Sequence, residues 1–355
     1  MALTHGGDTE SFVLRYGYEP IDFSASCSPL GVPASVKNAI CRAAVQADAY
    51  PDPLCRRLRA ALAQNEGVLS EHIWCGNGSA DLIFRLVLAR KPRRAFVLAP
   101  TFAEYERSLQ AAGCLVIRHS LAAADRFILT DTILDQLIPS IDLLFLCNPN
   151  NPTGQLIDPG LMQRILDACA TARILLVVDE CFNGLIEEPE RHSVKNRLNH
   201  YPGLVVIKAF TKLYGLAGLR LGYCLSQDQD LLASIRETGQ PWAVSSLAQA
   251  AGLAALADPA YVEAVRTLVR EEKIWLQREL TDLPVTMIGG DANWLFFHCD
   301  HPDLEIRLCE KGLLIRDCSN FPGLAPGYFR IAVRTHAENS RLVEAMKTSL
   351  QEGLS

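Results

Sequence analysis

The stretch Leu204-Val205-Val206-Ile207-Lys208-Ala209-Phe210-Thr211-Lys212-Leu213-Tyr214-Gly215-Leu216-Ala217-Gly218-Leu219-Arg220 decides how the rest of the chain is read. It opens on a short apolar run of the kind that fits a strand buried on both faces. After it, Lys212 sits among apolar and small residues, and Arg220 follows eight residues later across a Gly-rich segment. A neutral amine in a cleft can add to an aldehyde and form a Schiff base. A nearby arginine and hydroxyl can hold a phosphate. A surface lysine in a turn has the same letters, so other segments must separate the two readings.

Further apolar runs stand upstream. Leu143-Leu144-Phe145-Leu146-Cys147 and Ile174-Leu175-Leu176-Val177-Val178 are continuous, and Ile73-Trp74-Cys75, Ala95-Phe96-Val97-Leu98 and Cys114-Leu115-Val116-Ile117 also read as strands. The connections between them are about helix length, which predicts an α/β fold with a mostly parallel central sheet flanked by helices. Ser35 is placed to cap a helix through Val36, Ala39, Ile40 and Ala43. A second helix is expected over residues 54–63, others from Ser79 and over 103–112, and a long helical region over 245–280 with a break at Asp258-Pro259. Beyond Pro284 the pattern changes to shorter strands at 294–297, 313–315 and 328–333, with a final helix after Glu338, which suggests a smaller α+β domain. The expected division is an N-terminal arm over 1–35, a large domain over 36–265 and a small C-terminal domain over 266–355.

At 355 residues the chain is long enough for a large core, and 49% apolar with 21% charged residues reads as globular. A formal net charge of -6 gives no basic footprint for nucleic acid or an anionic membrane surface. Small anionic ligands would need local arginines. The twelve cysteines form no C-x-x-C pair and no zinc spacing, so they read as small core hydrophobes in a reducing compartment, with no metal site expected. No basic segment followed by an apolar one opens the chain, and no apolar run approaches a membrane span. The cytoplasm is the default location.

Several segments end or follow the buried strands, where open α/β sheets place ligands. Gly76-Asn77-Gly78-Ser79-Ala80 puts glycines at a helix start, where backbone N–H groups can approach a phosphate. Thr101-Phe102-Ala103-Glu104-Tyr105 brings an aromatic past a strand, as a stacking face or as core packing. Asn148-Pro149-Asn150-Asn151-Pro152-Thr153-Gly154 makes a rigid polar corner whose amides can donate to a phenolate-type oxygen, with cis peptides open. Asp179 ends a run expected to be buried, and a buried carboxylate needs a partner. It is either a helix N-cap or the partner of a protonated pyridine nitrogen. Arg316 and Arg330 lie within or at the end of apolar strands, as surface charge or as an anion clamp.

Together these residues resemble the fold type I pyridoxal 5'-phosphate (PLP) enzymes of the class I/II aminotransferase superfamily, over nearly the whole chain and in order. The resemblance implies Lys212 as the Schiff-base lysine, Asp179 as partner of the ring nitrogen, Asn151 as partner of the ring oxygen and Tyr105 as stacking face. It implies Gly78, Ser79, Ala80, Thr211 and Arg220 as the phosphate cradle, and Tyr50 as the tyrosine that reaches a neighbouring subunit's phosphate in a homodimer with shared active sites. Arg330 would bind a substrate carboxylate.

Within the superfamily the chain is similar to the L-threonine-O-3-phosphate decarboxylases of cobalamin biosynthesis and to the histidinol-phosphate aminotransferases. His5-Gly6-Gly7, Asp22-Phe23-Ser24-Ala25 with Pro29-Leu30-Gly31, and the stretch from Ile315 to Leu324 favour the decarboxylases. So does Phe182, where the transaminases usually carry a tyrosine. A phosphorylated amino acid is then the expected substrate, held by Arg316, Arg330 and His5. Cys27-Ser28 and Ala80-Asp81 depart from the usual pattern and leave the substrate open between phosphothreonine, phosphoserine and others.

Overall fold

The computed structural model describes residues 5–351. Seven strands form the central sheet, in the spatial order Ile73–Gly76, Gly222–Ser226, Leu204–Ala209, Leu175–Asp179, Leu143–Cys147, Arg94–Ala99, Leu115–Ser120. All pair in parallel except Gly222–Ser226, which runs antiparallel to both neighbours. The mostly parallel sheet expected from the apolar runs is therefore present. Leu143–Cys147 and Leu175–Asp179 are buried at every residue, because helices cover both faces.

One crossover shows how local sequence sets this. The helix Pro159–Ala172 links the two central strands. Asp158 caps it by accepting from Leu161 N at 2.9 Å, and proline occupies the first turn, where its missing N–H is no loss. Met162, Ile165, Leu166 and Cys169 form the stripe it lays on the sheet.

Gly222–Ser226 was not expected as a strand. It begins with a glycine and ends in a serine, so its signal is short. Gly222 is required there: a Cβ would lie 2.7 Å from Ser79 N. A second correction concerns Ser35. The helix spans Ala34–Ala44 with Pro33 as its N-cap residue, so Ser35 lies in the first turn, and its hydroxyl donates to Asp258 at 3.0 Å.

The C-terminal part holds a four-stranded antiparallel sheet in the order Arg316–Asp317, Tyr328–Ala332, Trp294–Cys299, Val285–Gly289. Trp294–Cys299 alternates with strand period: Trp294 and Phe296 join the large core, Leu295 and Phe297 a second one. The helix Pro259–Leu280 does the same along its length, with Val265 and Val269 in the first core and Leu276 and Leu280 in the second. The division expected at 265/266 falls inside this unbroken helix. The N-terminal arm is stitched to the smaller unit: Ile21–Asp22 pairs in parallel with Leu313–Leu314, and Phe23 is buried in the second core. Among the described residues no helix is long and apolar enough to cross a membrane. All twelve cysteines are free, and ten are buried.

Candidate active site

The C-terminal ends of the parallel strands open onto a cavity of about 210 Å³. Lys212, Asp179, Asn151, Ser79, Ala80, Thr211 and Arg220 line it. So do His5, Arg316 and Arg330, which arrive from the arm and the small sheet. Residues up to 325 positions apart in sequence (His5 to Arg330) are thereby brought to one cavity.

Each side chain is aimed by its backbone. After Leu143–Cys147 the chain turns through two cis prolyl bonds, Asn148-Pro149 and Asn151-Pro152. Asn150 ties the corner down: its amide donates to Pro100 O at 3.1 Å and Thr153 Oγ1 at 2.9 Å and accepts from Thr101 at 2.9 Å. Asn148 accepts from Ile157 N at 3.0 Å. The fully occupied neighbours leave Asn151 facing the cavity.

Asp179 ends its strand with 4% exposure, a deep position for a carboxylate. Cys181 N donates to its Oδ1 at 2.9 Å and the Tyr105 hydroxyl to its Oδ2 at 2.8 Å. Burial pushes the Asp179 carboxyl up from its usual value, while those donors and the Lys212 charge pull the other way. Lys212 Nζ lies 5.1 Å from the centre of the Phe182 ring. Phe182 packs edge-on against Trp294, whose Nε1 donates to Pro152 O at 2.8 Å.

The phosphate-type end is built around Gly78. Its φ is +85°, and a Cβ there would stand 2.7 Å from Arg220 Nη2. The missing side chain leaves the guanidinium beside the first N–H groups of the helix Ser79–Arg90, where an anion is favoured. Arg220 is itself left-handed at φ 56° and donates to Ala217 O at 3.1 Å.

Two expected residues lie elsewhere. Tyr105 is wholly buried beneath the cavity, stacked on Phe145 with centroids 4.9 Å apart and planes 7° apart, so it is not the stacking face. Phe102, three residues earlier, lines the cavity in its place. Both aromatics stand in the same short segment, so the sequence alone does not separate them. The helix starts at Ala103, so Tyr105 in its first turn points back onto the sheet. Tyr50 is 80% exposed and stacks on Trp242 at 4.6 Å, away from this chain's own cavity.

Two guanidinium groups line the cavity. Arg330 Nη1 donates to Asn151 Oδ1 and Nη2 to Ser24 O at 2.8 Å. Arg316 donates to Asn320 Oδ1 at 2.8 Å and to Asp317 O, and lies 5.2 Å from the Phe321 ring centre. His5 Nε2 meets Glu104 Oε1 at 2.7 Å, and its ring stands 5.5 Å from that of Phe102. Glu104 and Phe321 had no local signal in the sequence beyond their types.

A larger cavity of about 400 Å³ shares Cys181 with this one. Its charged groups are matched to each other: Lys208 donates to Glu66 at 2.8 Å, Lys195 to Glu66 at 3.2 Å, and Tyr223 to the other Glu66 oxygen. It lacks the convergent unsatisfied groups of the smaller site, where Ser26 Oγ and Arg330 Nε are buried without a protein partner. The donor set fits PLP: an amine, a buried carboxylate, an amide, an aromatic face and a glycine-cleared anion cradle.

Comparison with known proteins agrees. The family model for aminotransferase class I and II matches residues 19–346. A threonine-phosphate decarboxylase of Salmonella typhimurium is 40% identical over 352 residues, covering 98% of this chain and 96% of the relative. A histidinol-phosphate aminotransferase of Symbiobacterium thermophilum is 36% identical over 332 residues, covering 92% and 89%. The solved structure of histidinol-phosphate aminotransferase from Sinorhizobium meliloti, in complex with pyridoxal-5'-phosphate, superposes with a TM-score of 0.85 at 23% identity, covering 98% of this chain and 96% of that one.

Proposed function

We propose that this chain, which belongs to the aminotransferase class I and II family, is a PLP-dependent decarboxylase of L-threonine O-3-phosphate. Its product would be (R)-1-aminopropan-2-yl phosphate, for cobalamin biosynthesis. The observation that carries the reading is that two buried guanidinium groups, Arg316 and Arg330, line the same cavity as His5. Threonine phosphate has two anionic ends for these groups to hold; histidinol phosphate has one, but the 2-oxoglutarate that an aminotransferase also binds has two, so the choice between the readings leans on the relatives. The 40% identical relative supports the same choice.

When bound, PLP supplies an electron sink for the pair left at Cα after a bond there breaks. The residues divide the remaining work. Lys212 Nζ is the amine that holds the aldehyde carbon, and the group that delivers a proton to Cα once carbon dioxide has left. Asp179 would pair the ring nitrogen, Asn151 Nδ2 would donate to the ring oxygen, and Phe102 would give the ring its apolar face. The N–H groups after Gly78, with Ser79, Ala80, Thr211 and Arg220, hold the phosphate. By fixing the substrate's anionic ends, the arginines would decide which Cα bond is presented for cleavage. Arg330 takes one end, and Arg316 with His5 the other. Tyr50, exposed and stacked on Trp242, completes the phosphate site of a second subunit in a homodimer.

The test is direct. The purified protein is given L-threonine phosphate and PLP with no oxo-acid. Catalytic release of carbon dioxide with formation of the amino alcohol phosphate is expected. No release, alongside amine transfer from histidinol phosphate to 2-oxoglutarate, would favour the second reading, a histidinol-phosphate aminotransferase, which the 36% identical relative supports.

A further inference from the structure

We propose that Tyr105 is a positioning residue that holds the Asp179 carboxylate ionised and aimed at the ring nitrogen of PLP. The proposal rests on the reading of Asp179 given above. Asp179 lines the cavity and Tyr105 does not, so the phenol reaches the site only through that carboxylate. Its hydroxyl donates to Oδ2 at 2.8 Å between two fully buried groups, where a charge-assisted bond is strong. The phenol cannot swing away. Its ring lies flat on Phe145 at 4.9 Å and meets the edge of Phe102 at 5.5 Å, and Ser108 anchors its carbonyl at 2.8 Å.

The direction of the effect follows from the other groups. Burial and the neighbouring carboxylate push the Tyr105 phenol well above its usual value, so it is a permanent donor. Besides Tyr105, the titratable groups that bear on Asp179 are Lys212, Cys181 and Cys147. Both thiols are pushed up by burial, Cys147 to about 12, so neither adds charge near neutral pH. The Cys181 N–H secures Oδ1 alone. Loss of the Tyr105 donor would leave Oδ2 desolvated and drive Asp179 toward its neutral form, which attracts a pyridinium less.

The experiment compares apoprotein of wild type, Tyr105→Phe and Asp179→Asn. Each is titrated with PLP and with an analogue whose ring nitrogen is replaced by carbon, and each apoprotein is melted. Tyr105→Phe is expected to weaken PLP about tenfold, as loss of one hydrogen bond to a charged group implies. It should leave the analogue within about twofold of wild type, because the analogue makes no bond to Asp179. Equal weakening of both ligands marks a purely structural role and overturns the proposal, as does unchanged PLP affinity. If Asp179→Asn discriminates between the ligands and Tyr105→Phe does not, Tyr105 alone loses its role. If Asp179→Asn fails to discriminate, the reading of Asp179 falls and Tyr105 falls with it.

Discussion

Nη1 of Arg330 donates to Oδ1 of Asn151, and that bond decides which way the Asn151 amide faces. With Oδ1 taken, Nδ2 is the atom left to donate into the cavity. The same guanidinium holds Ser24 O at 2.8 Å and stands 5.3 Å from the Trp294 ring centre. Burial brings its pKa down to about 10, so it keeps its charge at neutral pH. One side chain thus ties the Asn151 amide to the N-terminal arm at the edge of the cavity.

Arg330→Lys tests that junction. A point ammonium cannot serve two acceptors and a planar carboxylate from one position. Loss of a hydrogen bond to a charged group, about 1.5–3 kcal/mol, predicts a KM for the amino-acid substrate raised roughly 10–100-fold. A severalfold weaker PLP affinity should accompany it, as the Asn151 amide loses its fixed orientation. Steady-state kinetics and a PLP titration read the two effects separately.

Gly78→Ala should weaken the cofactor more than it weakens the fold. The new Cβ would meet Arg220 Nη2 at 2.7 Å, and a residue with a Cβ is strained at φ +85°. Arg220 has a flexible end and can move, but moving it takes the guanidinium out of the anion cradle. The expected result is PLP affinity lowered about tenfold or more, with apoprotein stability lowered by about 1–3 kcal/mol, because φ 85° with ψ 168° is backbone that only glycine adopts readily. Equal affinity in a titration of the apoprotein would remove Arg220 from the cradle.

How much of this was legible in the sequence depends on what each residue leans on. Leu143–Cys147 and Leu204–Ala209 announce themselves because a strand covered on both faces must be a near-continuous apolar run. Asp179 stands out in the sequence because a charge directly after such a run is costly without a purpose; Lys212, four residues past Lys208, stands out only through the Gly-rich segment and Arg220 that follow it. Phe102 and Tyr105 stand three residues apart, and only the start of the helix at Ala103 decides which ring reaches the cavity and which turns onto Phe145. Ser35 failed as a cap because the helix begins one residue before it, and its partner Asp258 lies 223 positions away. The meeting of His5 with Glu104 spans 99 positions, and nothing in either neighbourhood marks it. Pairings of that kind are decided by topology rather than by local pattern.

Lys208→Met should destabilise the fold in a pH-dependent way. Lys208 donates to Glu66 at 2.8 Å and lies 3.7 Å from Glu180, both buried. Burial pushes the Glu66 carboxyl up, but Lys208, Tyr223 and Lys195 outweigh it, and the net pKa is lowered. A lowered carboxylate pKa contributes stability that is present above the unfolded value, about 4.3, and lost as pH falls through the folded one. Without the ammonium, Glu66 and Glu180 are left short of compensation, a loss of about 3–5 kcal/mol at pH 7 for a broken buried pair. The gap between variant and wild type should narrow toward pH 5, where the uncompensated carboxylates can take up protons. Urea unfolding at the two pH values reads this; a gap independent of pH would trace the loss to packing.

Arg316→Lys separates the two ends of the substrate. Arg316 is buried, its guanidinium set by Asn320 at 2.8 Å and by the face of Phe321 at 5.2 Å. That leaves a planar fork in a fixed orientation, the geometry that suits the tetrahedral oxygens of a phosphate. A lysine keeps the charge and loses the fork. If Arg316 takes the phosphate, the variant should raise KM for threonine phosphate roughly 10–100-fold while leaving kcat within a few-fold, since the charge-assisted bonds lost are worth about 1.5–3 kcal/mol. Inhibition by unphosphorylated threonine, which has no phosphate to lose, should change little. Parallel weakening of threonine and threonine phosphate would place Arg316 on the carboxylate and exchange its role with that of Arg330. His5→Gln resolves the remaining case: His5 lines the same cavity from the arm, so it should reproduce the phosphate-selective loss in weaker form, whereas an effect on threonine alone would separate it from the phosphate end.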